Sequence, residues 1–243
     1  IVSRSELVQI GGGFRIPDIL TSSGAKLVEV GTTNITTIDD YLEAITGRTA
    51  MVLKVHRSNF ALRGFTAEPT IRELAEALPD GLLLAVDQGS GVLDDDTPGE
   101  KAVSTFIKEG AHLVSFSADK ALGSVQAGCI VGDEALIATL GKHPLYRTLR
   151  VGKTVSSLLE ASLIDHLNGK AVPALALASR TVEEMERLGD HVLERAVRAA
   201  VAAGRVHPAR CSARAFSPLQ RADRGRLLDG RRVVPPGATA RGH

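Results

Sequence analysis

The chain has 243 residues, 44% of them hydrophobic, and a formal net charge of +1. That length buries a sizeable core in one large domain with room for an appendage, and the near-neutral balance excludes a general electrostatic attraction to nucleic acid or anionic lipid. Cys129 and Cys211 are far apart and lack C-x-x-C or Cys/His ligand spacing, which excludes a disulfide framework and a structural zinc site, so no metal is expected and a reducing cytoplasm is the natural setting.

The first residues, IVSRSELVQIGGGFRIPDIL, run straight into patterned sequence without a charged region and hydrophobic signal core, as if the chain were entered in mid-domain. A fragment is the expectation. No apolar run approaches the roughly 20 residues that span a bilayer, so a membrane protein is not expected. Between residues 25 and 135, strand-length apolar runs alternate with helical patterns, which predicts α/β architecture: a mostly parallel sheet flanked by helices.

The predicted strands cover residues 26–30, 50–55, 82–87, 112–117 and 127–131, with helices over 38–46, 69–78 and 100–109. Pro69 suits a helix first turn, and Gly81 and Gly110 suit helix exits. Leu83, Leu84, Ala85 and Val86 form a continuous apolar run, which predicts a strand buried on both faces. Beyond Gly141 the pattern turns helical, over 154–168 and then 180–203, with Gly204 as a stop.

The domains expected are therefore a partial large domain over 1–150, a connecting helix and the start of a small C-terminal domain over 151–204, and a tail over 205–243. The tail carries nine Arg, no Lys and two Asp without helical or strand period. Such composition predicts poor order; a basic RNA-binding arm is the sharper reading and a solvated extension the blander one.

Two residues carry the chemistry. Asp87 ends the apolar run and is followed by Gln88-Gly89-Ser90-Gly91, which places a carboxylate at the C-terminal edge of the sheet, where open α/β folds bind ligands; a turn aspartate is the alternative. Lys120 follows the end of the next strand by three residues in a glycine-containing loop. A lysine there can hold an aldehyde cofactor as a Schiff base, and pyridoxal phosphate (PLP) also needs an anionic partner for its pyridine nitrogen. Asp87 precedes Lys120 by one helix and one strand, so the two can reach adjacent strand ends; a surface loop lysine is the alternative. Ser117, three residues before Lys120, is a candidate for the cofactor phosphate.

Weaker candidates surround these. Gly123, Gln126 and Gly128 can form the bend after the lysine, with backbone amides for a phosphate. His56 and Asn59 can approach the cofactor ring, or be a packed histidine and a turn asparagine. Thr32, Thr33 and Asn34 read as turn residues. Arg147 and Arg150, three apart on a predicted helical face, make a fork suited to a phosphate-like anion, or else a solvated basic face; Arg4, Arg15 and Arg57 are weaker.

The segments SRSELVQIGGGFRIPDI, LVEVGTTN, LKVHRSNFALRGFTAE, VDQGSG, SFSADKALGSVQAG and PLYRTLRVGK, in this order, resemble the bacterial L-seryl-tRNA(Sec) selenium transferases, over about residues 1–170. The resemblance implies a fold type I PLP enzyme in which Lys120 carries the cofactor, Asp87 pairs with the pyridinium and Asp119 lies against the active site. It implies that Arg147 and Arg150 bind the selenium donor, selenophosphate, and that seryl-tRNA(Sec) becomes selenocysteinyl-tRNA(Sec) through an aminoacrylyl intermediate. A homo-oligomer is implied for the complete enzyme.

Departures from the family pattern are Ala118 for Gly, Ser124-Val125 for Gly-Pro, and Gln88 for Leu. An N-terminal tRNA-binding region and the first part of the PLP domain are not recognisable. The alternatives are a related PLP lyase or transferase acting on a small amine, and a noncatalytic fragment or RNA-binding module.

Overall fold

The computed structural model describes residues 1–57, 60–95, 97, 99–170, 172–178 and 180–205. Asn59, Cys211 and the tail beyond Arg205 lie outside the described residues. Two compact units divide between residues 179 and 180, and the expected boundary at 150 falls inside the first.

The first unit opens with β1 (Val2–Ser3), a loop through the triple glycine and α1 (Ile16–Ser22), then β2 (Glu29–Val30), α2 (Ile38–Ala44), β3 (Met51–Val55), α3 (Ile71–Ala77), β4 (Leu83–Gly89), α4 (Val103–Lys108), β5 (Leu113–Ser117) and β6 (Gly128–Gly132). Helices α5 (Glu134–Lys142), α6 (Pro144–Leu149), α7 (Lys153–Leu167) and α8 (Pro173–Ala178) follow. The main sheet has the order β3-β4-β5-β6, with the first two pairings parallel and the last antiparallel. β1 and β2 form a short parallel pair, and Ile1 exchanges backbone hydrogen bonds with Met51 and Leu53 of β3 at 2.8 and 2.9 Å.

The buried run in β4 behaves as its composition requires. Leu84, Ala85 and Val86 are all buried, and Leu84 and Val86 share one core with Tyr41, Ile71, Leu74, Val103, Phe106 and Val114. Alternate faces of a strand are hidden together only when both sides of the sheet are covered, and α2, α3 and α4 cover the side of Leu84 and Val86. Leu74 is fully buried, and its truncation to Ala costs roughly 2–5 kcal/mol.

Helix boundaries differ from the sequence reading in instructive ways. Pro69 precedes the helix instead of entering it: Thr70 is the N-cap, and its hydroxyl accepts from the Glu73 amide while the Glu73 carboxylate accepts from the Thr70 amide. This capping box, and the same arrangement between Thr37 and Asp40 on α2, satisfy amides that the first turn leaves free. Gly81 (φ 82°) lies in the turn after Leu78 and does not end the helix. Gly110 does: at φ 105° it donates to Ile107 O, and Ala111 donates to Phe106 O, the pattern of a left-handed helix exit. Of the predicted strand 26–30 only Glu29–Val30 forms a strand, with Val28 O accepting from the Val2 amide at 2.9 Å.

Helix α4 lacks a side-chain cap of its own. Asp95, in the preceding loop, accepts from the Ala102 amide at 2.7 Å and from the Thr105 hydroxyl at 2.8 Å, which holds its carboxyl below the ordinary value. In the second unit α9 (Val182–Ala202) starts with a capping box between Thr181 and Glu184 and ends at Gly204, whose φ of 67° and bond to Val201 O make it the expected stop.

Candidate functional site

Parallel strands joined by helices bring their C-terminal ends to one edge, and the two chemically central residues stand there. Asp87 lies opposite Val55 of β3 and Ser115 of β5. It is half-buried, its Oδ1 accepts from Ser115 Oγ at 3.0 Å, and its carbonyl accepts from the His56 amide at 2.9 Å. The strand continues past Asp87 to Gly89, with a register shift against β5 between the two.

Lys120 sits in the return between β5 and the antiparallel β6. Its side chain reaches back over the end of β4: Nζ is 3.8 Å from where a side-chain carbon on Gly89 would begin. Gly89 has φ 80°, a conformation that L side chains rarely adopt, so the backbone keeps the surface beneath the amine bare. Gly91 (φ 77°) has no room as well as an unfavourable backbone, since a side chain there would meet Ser117 O at 2.8 Å and Leu122 Cβ at 3.1 Å.

The loop is tightly bonded. Ala118 donates to Ala127 O, Ala121 to Ser90 O, Gly123 to Lys120 O and Ser124 to Ala118 O, all at 2.8–2.9 Å. The Gly123 amide is therefore committed to the turn. Ser117 ends β5 half-buried opposite Gly128, while Asp119 and Gln126 are exposed on either limb of the loop. Asp87, Ser117, Asp119, Lys120 and Gln126 thus gather at one end of the β4–β5–β6 sheet.

Arg147 and Arg150 lie apart in sequence and are exposed. Only Arg147 is helical, in the last turn of α6; Arg150 is its C-cap, with extended backbone (φ −59°, ψ 139°). The helix thus ends at Leu149, and Arg150 caps it with its amide donating to Tyr146 O. Arg4 bonds Gly31 O and lies 3.5 Å from Glu29, Arg15 donates to Gln9 Oε1, and Arg57 forks onto Glu68 with two contacts of 2.8 Å. Thr32, Asn34 and Ile35 form the expected turn, with Asn34 Nδ2 donating to Phe65 O.

A polar network beside the strand ends was not anticipated. His56 Nε2 is 3.4 Å from Glu100 Oε2, which also accepts from Ser90 Oγ at 2.8 Å. Buried Gln88 donates to Ser90 Oγ and accepts from the Gly91 amide, both at 2.6 Å. Next to it lies a 410 Å³ cavity whose walls include Glu6, Lys54, His56, Arg57, Glu68 and Lys101. Burial pushes Glu6 up, against the pull of Lys54 and the Val55 amide. Burial also opposes ionisation of Glu68, but Arg57 and Lys54 hold it below the ordinary value. Among the described residues no group of three or more His, Cys, Asp or Glu is placed to hold a metal, and no helix is long and apolar enough to cross a membrane.

Comparison with solved structures supports the architecture. D-Glucosaminate-6-phosphate ammonia-lyase superposes with a TM-score of 0.57 at 24% identity, covering 70% of this chain and 43% of that one. An aspartate aminotransferase variant of Thermus thermophilus superposes with a TM-score of 0.51 at 20% identity, covering 84% and 53%. At such identities these likenesses show the fold alone, that of the fold type I PLP enzymes.

Sequence comparison goes further. L-seryl-tRNA(Sec) selenium transferase of Serratia proteamaculans is 46% identical over 203 residues, which are 80% of this chain and 44% of that protein. The enzyme of the same description from Shewanella oneidensis is 45% identical over 201 residues, covering 79% and 42%. The chain thus spans less than half the length of these relatives. Residues 1–217 match the family described as L-seryl-tRNA selenium transferase, and the chain belongs to that family.

Proposed function

We propose that the intact protein converts L-seryl-tRNA(Sec) to L-selenocysteinyl-tRNA(Sec) with selenophosphate as donor, using PLP held at Lys120. The observation that carries this reading is the Lys120 amine over bare Gly89, beside a carboxylate at Asp87 that a neighbouring strand holds in place. A flat ring needs such a cradle, a primary amine for attachment and an acid partner for its nitrogen, so the residues present fit the cofactor.

When bound, PLP withdraws electrons from the substrate α-carbon, which permits loss of the α-proton and departure of the serine β-hydroxyl. Asp87 supplies negative charge at the ring nitrogen, and Ser115 fixes the carboxylate that does so. Lys120 Nζ provides the attachment and, once released, a base for the α-proton. Ser117 and Gln126 stand on the two limbs of the loop as hydrogen-bonding groups for the cofactor, and Asp119 lies beside the lysine. Arg147 and Arg150 attract the anionic selenium donor, and their exposure leaves them open to it.

The test is to incubate the intact protein with PLP, reduce with borohydride and map the phosphopyridoxyl peptide. An adduct at Lys120, absent in Lys120→Ala along with selenocysteinyl-tRNA formation, is the expected result. Full turnover by Lys120→Ala overturns the reading.

A further inference from the structure

We infer that Ser162 and His166 of α7 are positioning residues for Lys120, an assignment that rests on the role of Lys120 proposed above. Val155, Leu159, Ser162 and His166 recur at spacings of four, three and four, so they form one stripe along the helix. The first two pack against the main core. The last two stand where the same stripe would otherwise be apolar, and both are bonded to the lysine loop.

Ser162 Oγ is 2.8 Å from Ser124 Oγ, and His166 Nε2 is 2.9 Å from Leu122 O. A carbonyl oxygen only accepts, so Nε2 carries the proton. Ser162 Oγ also donates to Leu158 O of its own helix at 3.0 Å, so the Ser124 hydroxyl is the donor between the two serines, and both half-buried groups reach a partner in residues 122–124. The loop is thereby tied on two sides, by Ala121 to Ser90 O at the end of β4 and by Leu122 and Ser124 to α7. Leu122 is buried between them at 1% exposure. Gly123 (φ 70°) must stay bare in this loop, since a side chain there would meet Val172 Cγ1 at 2.3 Å.

These ties fix the backbone that follows Lys120 and hence the point from which its side chain reaches Gly89. Loosening them lets the amine sample more directions, which slows attachment without removing any group that touches cofactor. The ties govern the rate at which PLP reaches Lys120, while the groups that hold it remain in place.

The experiment uses the intact protein freed of cofactor, with adduct formation at Lys120 followed by timed borohydride quenching. Ser162→Ala and His166→Asn are expected to slow the reaction about tenfold each, the loss expected when one hydrogen bond of about 1.4 kcal/mol is removed. Ser162→Thr keeps the hydroxyl, and His166→Gln places an N–H where Nε2 stands, so both are expected to react within about twofold of the wild type. His166→Asn and His166→Gln are similar in polarity, which separates position from folding. Equal rates for those two overturn the assignment of His166, and a wild-type rate for Ser162→Ala overturns that of Ser162. If the wild-type protein itself forms no adduct at Lys120, the functional reading fails first and this inference falls with it.

Discussion

Ser115 Oγ donates to Asp87 Oδ1 at 3.0 Å, from the residue directly opposite on the parallel neighbour strand. One strand thus supplies the carboxylate and the next holds it. Removing a hydrogen bond to a charged group costs roughly 1.5–3 kcal/mol when buried and less when half-exposed, so Ser115→Ala is expected to lower turnover about threefold to tenfold. Asp87→Asn, which removes the charge itself, is expected to cost more. Steady-state kinetics of the intact enzyme rank the two; the reverse order contradicts the role given to Asp87.

Arg147→Ala and Arg150→Ala are expected to raise the KM for selenophosphate while leaving PLP attachment at Lys120 unchanged. Their side chains are exposed on and just after α6, so thermal stability should move little. Kinetics at varied donor concentration, with borohydride trapping as the control, make the test. Loss of trapping in either variant would show that the arginines serve the cofactor instead of the donor.

The Glu6–Lys54 pair predicts a stability asymmetry. Glu6 is 1% exposed and accepts from both the Lys54 ammonium and the Val55 amide. Glu6→Ala leaves the nearly buried Lys54 charge with Glu68, 3.7 Å away, as its ion-pair partner among the described residues, and should cost roughly 3–5 kcal/mol. Replacing both, as Glu6→Leu with Lys54→Met, should recover much of that loss. Urea unfolding of the three proteins decides it, and a double variant less stable than Glu6→Ala alone goes against the reasoning.

Asp95 gives a pH signature. Its carboxyl is held below the ordinary value of 3.8 by the Ala102 amide and then the Thr105 hydroxyl. A depressed folded value means that the unfolded chain takes up a proton first as pH falls. The stabilisation is therefore complete above 3.8 and is lost as pH drops through the lower, folded value. Wild type and Asp95→Ala should differ in melting temperature at neutral pH and converge in acid. A difference that persists unchanged well below pH 3.8 rules out the carboxylate as its source.

Much of this was legible in the chain itself. The unbroken run Leu83 to Val86 announced a central strand, and Asp87 and Lys120 were separated by one helix and one strand, enough to bring them to one edge. The spacing of Arg147 and Arg150 did not show that α6 ends at Leu149, because periodicity counts residues but does not show where a helix stops. The His56–Glu100–Ser90–Gln88 network was invisible for another reason: its members come from two strand ends and the approach to α4, and only the assembled sheet makes them neighbours. Ser162 and His166 lay hidden inside a helical stripe whose polar half looks solvated until the loop it grips is known.

The hairpin-like return that carries Lys120 has a mechanical consequence. Asp87 and Ser115 are rungs of one ladder, and Lys120 is bonded back to that ladder through Ala118 and Ala121. When the sheet twists or breathes, acid and amine ride on the same raft, so their displacements are shared and their separation is conserved. A site built this way holds together as long as the three strands beneath it and the helix that grips the loop move as one.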